Sequence, residues 1–404
     1  MKILAIETSC DDTCMALAEC SAKDFKLLSN LISSQVEIHK KWGGVYPTMA
    51  KREHQKNLVM LLGQSLKETN MLKLKVKNEK LKITDKNSKI KGILEREKFL
   101  SEKTAKFLEK YRKPKIDYIA VTVGPGLDPC LWTGVNFAKA LACWWDAPII
   151  PVNHIEGHLL ANWLTPIGES VKRKTQNEKQ RTKNKIKFPA VALIASGGHT
   201  QIILVKKIGQ YKILGETRDD AAGEALDKIA RILGLGYPGG PAIARQAGQS
   251  SMINDKLSIE LPRPMINSKD YDFSFSGLKT AVLYDYIKRP PKIKKSQDYI
   301  RAMAKEAQQA MIDVLMKKTL KAGRDYGAKT IMLGGGVAAN KELRKQFQEK
   351  IQEKSPETDF IVSDIRLCTD NAVMIAMAAC QPYMREEAVG WKKIKAQPNL
   401  RISN

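Results

Sequence analysis

No apolar run in this 404-residue chain approaches the roughly 18 positions that would suggest a membrane-spanning helix. Aromatic residues are scarce at 6%, and histidine occurs only five times, so a patterned pair of histidines carries weight. Cysteine is odd in number, with seven residues at Cys10, Cys14, Cys20, Cys130, Cys143, Cys368 and Cys380, most in apolar surroundings. That argues against a disulfide framework and for a reducing cytosol. No CxxC pair appears, which leaves little room for a thiolate zinc site. Acids are outnumbered as well: 43 Asp and Glu stand against 68 Lys and Arg, a formal net charge of +25.

The excess charge is concentrated. Residues 67–115 hold 17 Lys and Arg against 7 acids, and residues 171–187 hold 8 basic residues against Glu178. Such lysine-rich stretches read equally as solvated insertions or as RNA-facing surface, because counterion release rewards any basic face near phosphates. Within the first, Ile90, Ile93, Leu94, Leu100, Phe107, Leu108 and Tyr111 recur at roughly helical spacing and predict one amphipathic helix.

What the chain does have is a repeated pattern. The opening MKILAIETSCDD reads as a β-strand rather than a signal peptide. LAIETSCDDTCMALAE is strand, turn, strand; a third strand near LLSNLIS follows, then a helix starting close to Pro47. Further on, AVTVGPGL is a strand ending in a glycine turn before a helix. After HIEGHLLANWL the same order returns as VALIASGGHTQIILV and then TIMLGGGVAAN. The recurrence predicts a duplicated α/β unit, the layout of the actin-like nucleotide-binding fold with RNase H-like units and loops gathered at one cleft. The expected lobes are 1–150 and 151–404, with insertions near 67–115 and 171–187 and a C-terminal helix free to pack back on the first lobe.

His154 and His158 lie four apart on a predicted helix, one turn up the same face, a good grip for a transition metal. A metallopeptidase reading fails on the order of residues. In HExxH the glutamate follows the first histidine, whereas Glu156 is two positions on, about 200° round the helix, and is expected at the surface or in a supporting role. Asp370, at the start of an apolar helical stretch, is a candidate third ligand, a helix N-cap, or both through different oxygens. The SGGHT turn at 196–200, GGG at 334–336 and GYPGGP at 236–241 can present backbone amides to an anion. Glu224 and Asp227 share a helix face, where a carboxylate can accept from a ribose diol. Asp11 and Asp12 occupy the first hairpin turn, suited to holding a metal, a proton or an amine.

Together IETSCDDT, GGVYPTMAKREH, GPGL, NHIEGHLLA, ASGGHTQ, DDAAGEALDKIARILGLGYPGGP, DFSFSGLKTAV, GGGVAAN and CTDNAVMIA resemble the TsaD (Gcp) family of tRNA threonylcarbamoyl transferases, in its bacterial form. The resemblance implies one divalent metal ion, Fe2+ or Zn2+, held by His154, His158 and Asp370. It implies an adenylate gripped by Ile194, Ala195, Ser196, Gly197, Gly198, Asp227, Gly240 and Asn340. The donor is then threonylcarbamoyl-adenylate and the acceptor an adenosine amine beside the tRNA anticodon, with Asp11 the first candidate to take its proton and Asp12 beside it. A TsaB-like paralogue and a TsaE-like ATPase are the implied partners, with no membrane and a cytoplasmic location. The sequence departs from the family pattern at Asp12, at 128–132 and at Asn153, none of them a metal position. The competing readings are a small-molecule kinase of the same fold, which needs no histidine pair, and a non-catalytic paralogue, in which the metal residues and SGGHT should have decayed.

Overall fold

The apolar runs KILAIE and AVALIA each become a strand buried along nearly its whole length, as expected where helices cover both faces of a sheet. The computed structural model describes residues 1–21, 24–75, 84–164, 186–249 and 259–402. In chain order the elements are β1 (Lys2–Glu7), β2 (Asp12–Cys20), β3 (Phe25–Ser34), α1 (Val36–His39), α2 (Pro47–Glu68), α3 (Thr84–Ile93), α4 (Lys98–Lys110), β4 (Tyr118–Gly124), α5 (Asp128–Trp145), β5 (Ile149–Asn153) and α6 (His154–Leu160). They continue with β6 (Ala190–Ala195), β7 (Thr200–Lys207), β8 (Gln210–Glu216), α7 (Ala222–Ile232), α8 (Gly239–Gly248), α9 (Ser276–Lys288), α10 (Pro291–Lys294) and α11 (Gln297–Asp325). The last are β9 (Thr330–Gly334), α12 (Lys341–Lys354), β10 (Asp359–Val362), α13 (Ala372–Ala379) and α14 (Pro382–Glu386).

The protein is α/β, and the duplication is visible in its sheets. One five-stranded sheet runs β3-β2-β1-β4-β5 and the other β8-β7-β6-β9-β10. In each, the first three strands in sequence form an antiparallel meander and two later strands add in parallel on the other side. The chain divides into two compact units: Met1–Gln35, Val45–Lys183 and Asp370–Arg401 form the first, Val36–Gly44, Asn184–Thr369 and Ile402–Asn404 the second. The first core gathers Leu4, Ile6, Leu58, Leu62, Val121 and Leu141; the second gathers Leu193, Ile202, Phe273, Phe275, Met303 and Leu333. Each such fully buried side chain contributes about 1.5–3 kcal/mol of transfer free energy.

Two expectations need correction. Among its described residues, the basic stretch 67–115 holds two short helices rather than one amphipathic helix: Ile90 and Leu94 go into the core from α3 and just beyond it, and Leu100 and Leu108 from α4. The break falls at Glu97, whose buried carboxylate accepts Asn136 Nδ2 at 3.2 Å and pairs with Lys51 at 3.7 Å. Spacing of apolar residues cannot show such an anchor. Most of the second basic stretch, 171–185, lies outside the described residues. Cys20, closing β2, and Cys380, just past α13, form a disulfide with Cα atoms 6.0 Å apart. One bridge is not a framework, yet nothing in the spacing points to it, because 360 residues separate the pair. Among the described residues no helix is long and apolar enough to cross a membrane.

Candidate functional site

Three strands of the first unit end side by side. β1 stops at Glu7, β4 at Gly124 and β5 at Asn153, and both pairings among them are parallel. Their carboxyl ends therefore line up, the usual place for binding groups in such sheets. Asn153 ends β5 and caps α6 at once, its Oδ1 accepting the Ile155 and Glu156 amides at 2.9 and 3.3 Å. The cap fixes where the helix begins. His154 is thus its first residue, His158 lies one turn on, and the two rings stand 4.7 Å apart at 84°.

Asp370 reaches them from the chain entering α13. That helix, AVMIAMAA, is buried throughout and seats against α6 at Gly157, where a Cβ would lie 3.1 Å from Ile375 and 3.2 Å from Met374. The capping role left open by the sequence falls to Asn371, which accepts the Met374 amide at 2.9 Å. Asp370 Oδ1 instead lies 3.2 Å from His158 Nε2 and 3.5 Å from His154 Nε2. Ligand atoms held tetrahedrally at about 2.0–2.1 Å from one metal sit about 3.3 Å from each other. Both Asp370 distances fit a shared ion by that measure, and one ligand atom from each of the three side chains lies within 4.8 Å of the others. Burial disfavours charge on His154, but the Asp370 and Glu7 carboxylates outweigh it and raise the imidazole to about 9. Burial prevails at His158, which is lowered despite its bond to Asp370, with His154 adding to the effect.

Sequence reasoning missed Glu7. It is fully buried at the end of β1, accepts the Ser9 amide and the Thr122 hydroxyl at 2.5 Å each, and lies 3.1 Å from His154 Nδ1. The available signal was an acid closing an otherwise apolar strand. Glu156 is also buried, not at the surface, and accepts the Tyr383 hydroxyl from α14.

Asp11 and Asp12 lie where β1 turns into β2, in the same unit as the histidines. Burial and then the Asp11 charge push the Asp12 carboxyl up to about 7; a Ser34 hydrogen bond opposes this and Asp370 reinforces it. Asp12 Oδ1 is buried without a hydrogen-bond partner among the described residues. His54, another residue missed, secures the turn: its Nε2 is 3.0 Å from the Cys10 carbonyl and its Nδ1 2.8 Å from Thr13 Oγ1. A carbonyl only accepts, so Nε2 donates and Nδ1 takes the threonine proton. Burial, then nearby carboxylates, hold the Cys10 and Cys14 thiols well above their usual range, which disfavours thiolate ligands there.

The second unit repeats the layout with other side chains. Ile194 and Ala195 are buried ends of β6, with Ile194 opposite Gly334 of the parallel β9. Ser196 Oγ accepts the His199 amide at 3.1 Å and shapes the turn. Among the described residues, a Cβ on Gly197 or Gly198 would meet nothing within 4 Å, so the backbone is open on that side. Gly335, at φ +83°, would put a Cβ 2.4 Å from the Ala195 carbonyl oxygen, so only glycine lets the two strand ends approach. α7 ties the predicted residues together. Its Gly223 abuts Ser196 and Gly197, its Asp227 accepts the Gly239 amide at 2.6 Å beside Gly240, and its Leu226 lines a small cavity with Gln308 and Asn340. Asn340 caps α12 through Leu343 N at 3.0 Å and donates to Gln308 at 2.7 Å. Glu224 does not join Asp227; it pairs with Lys228 at 2.9 Å.

Residues 26–77 and 104–377 match the model of one protein family, described as TsaD: tRNA N6-adenosine threonylcarbamoyltransferase. A relative of that name from Thermosipho africanus is 40% identical over 402 residues, 100% of both chains. Relatives from Persephonella marina and Geobacillus kaustophilus are 38% and 37% identical, covering 95% and 98% of this chain and 90% and 96% of theirs. Among solved structures, full-length HypF in a phosphate- and nucleotide-bound form aligns with a TM-score of 0.47 at 12% identity, over 94% of this chain and 46% of that one.

Proposed function

The chain belongs to the TsaD family of tRNA N6-adenosine threonylcarbamoyltransferases and is an acyltransferase that modifies tRNA; we propose that its donor is threonylcarbamoyl-adenylate and its leaving group AMP. The acceptor is the N6 amine of the adenosine 3′ to the anticodon, in tRNAs that read codons beginning with A. The bond from the carbamoyl carbon to the phosphate oxygen breaks, the bond from that carbon to N6 forms, and N6 loses a proton. Asp12 takes this proton in preference to Asp11, because its carboxyl is poised near 7 and keeps one buried oxygen unpartnered.

His154, His158 and Asp370 would hold one divalent ion, iron or zinc, which supplies Lewis-acid polarisation of the transferred group. Ile194, Ala195, Ser196, Gly197, Gly198, Asp227, Gly240 and Asn340 bind the adenylate end. The Gly197 and Gly198 backbone stabilises charge on the departing phosphate, and among the described residues no side chain stands in its way. A TsaB-like paralogue and a TsaE-like ATPase complete the system in the cytoplasm.

The observation that carries this reading is the convergence of two imidazoles on one carboxylate 212 residues further along the chain. The test is to incubate the purified chain, its partners, unmodified tRNA and synthetic threonylcarbamoyl-adenylate, then digest the RNA for mass spectrometry. Threonylcarbamoyladenosine and stoichiometric AMP are expected. Absence of both, with the metal loaded, would sink the proposal.

A further inference from the structure

Glu7 lies outside every set of residues discussed for metal or substrate, yet its position is costly to maintain. An ionised carboxylate taken wholly out of water needs each lone pair matched by a donor. The protein supplies three donors across its two oxygens. Oε1 accepts the Ser9 amide at 2.5 Å, Oε2 accepts the Thr122 hydroxyl at 2.5 Å, and His154 Nδ1 stands 3.1 Å from the same Oε2. The last contact decides the imidazole's state. An ionised carboxylate has no proton to give and can only accept, so Nδ1 carries the proton. Ser9 Oγ, also 3.1 Å from Nδ1, is consistent as a second acceptor. With Nδ1 protonated, the lone pair of the neutral ring sits on Nε2, the atom that faces Asp370 Oδ1 at 3.5 Å.

The two histidines differ here. His158 Nδ1 is buried with no hydrogen-bond partner among the described residues. Of the two, among the described residues, only His154 has a carboxylate behind it. The topology explains why: Glu7 ends β1, Thr122 sits near the end of β4, and His154 follows β5, three adjacent parallel strands.

We propose that Glu7 is a positioning residue that fixes the tautomer and ring orientation of His154, making that imidazole the stronger ligand of the pair. The inference rests on the metal reading of His154, His158 and Asp370 given above. Carboxylates placed behind ligating histidines change metal affinity by about 10–100-fold when removed.

The test uses the full-length protein, with Zn2+ and Co2+ as probes in competition with a chromophoric chelator. Glu7→Gln keeps the shape and removes the charge; it should weaken both metals by about 10–100-fold and shift the Co2+ ligand-field bands. In 15N spectra of histidine-labelled, metal-free protein, recorded above the His154 value of about 9 so that the ring is neutral, the same variant should lose the single Nδ1–H tautomer of one imidazole. Glu7→Asp, which retains the charge one methylene short, should recover part of the affinity. Should Glu7→Gln fail to fold, Thr122→Val decides, since it leaves the carboxylate and removes one of its donors; a several-fold loss is expected. Folded variants that bind both metals within twofold of the parent, with unchanged Co2+ bands, would overturn the role of Glu7. If the parent binds no better than His158→Ala, the metal reading itself is wrong, an outcome separable from the first.

Discussion

The turn between the first two strands of each sheet occupies the same place in the topology and holds opposite chemistry. In the first unit it is Ser-Cys-Asp-Asp, tied down by His54 and carrying a carboxyl raised to about 7. In the second it is Ser-Gly-Gly-His, where, among the described residues, two glycines leave the backbone open on one side. The neighbouring strand ends diverge in the same way: the first unit places Glu7, Thr122 and His154 in a row, the second a glycine pressed against Ala195. Two topologically equivalent strand ends thus carry titrating side chains in one unit and glycine backbone in the other.

Removing the acidic half should have the largest effect. Asp370→Ala or His154→Ala is expected to abolish metal binding and lower the transfer rate by about 10³-fold or more, while far-ultraviolet circular dichroism stays unchanged. Full activity in either variant would break the division of labour. Next comes Asp12→Asn, with an expected loss of about 10²–10⁴-fold in kcat and little change in tRNA affinity; Asp11→Asn should cost less, and the reverse ranking would return the base to Asp11.

The glycine half should answer differently. Gly335→Ala forces a Cβ into the Ala195 carbonyl at positive φ, and an urea titration should show a loss of about 2–4 kcal/mol. Gly197→Ala meets nothing, so stability should stay within about 0.5 kcal/mol while KM for the donor rises. Equal stability losses would mean that both glycines serve only the fold. The smallest effect is a pH slope in the metal-free protein. Asp12 is raised to about 7 when folded, so between its unfolded value near 4 and pH 7 the native state holds a proton that the unfolded chain has lost. Stability should therefore fall as pH rises through that window, and Asp12→Asn should flatten the slope.

The fold was largely legible because strands buried on both faces announce themselves as apolar runs, and the two hairpins recur in order. The histidine pair was legible for a similar reason: a spacing of four on a helix is local. Asp370 stood out only as one of two adjacent polar residues, and the choice between cap and ligand needed the geometry that gives the cap to Asn371. Glu7, His54 and the Cys20–Cys380 bridge were illegible because their partners lie 147, 44 and 360 residues away. Periodicity carries no information at such range. Of the two places expected for Glu156, the surface is excluded for another reason: the helical wheel turns it from the histidines, but α14 covers that side.

Asp370 is the first residue of the chain's return to the first unit, 212 positions after His158. On a ribosome adding about 5–20 residues per second, the imidazoles emerge some ten to forty seconds before the carboxylate they share. All five strands of the first sheet, β1 to β5, precede Asp370 in the chain. An ion held by these three side chains, as proposed above, would gain its full set of ligands only near the end of synthesis.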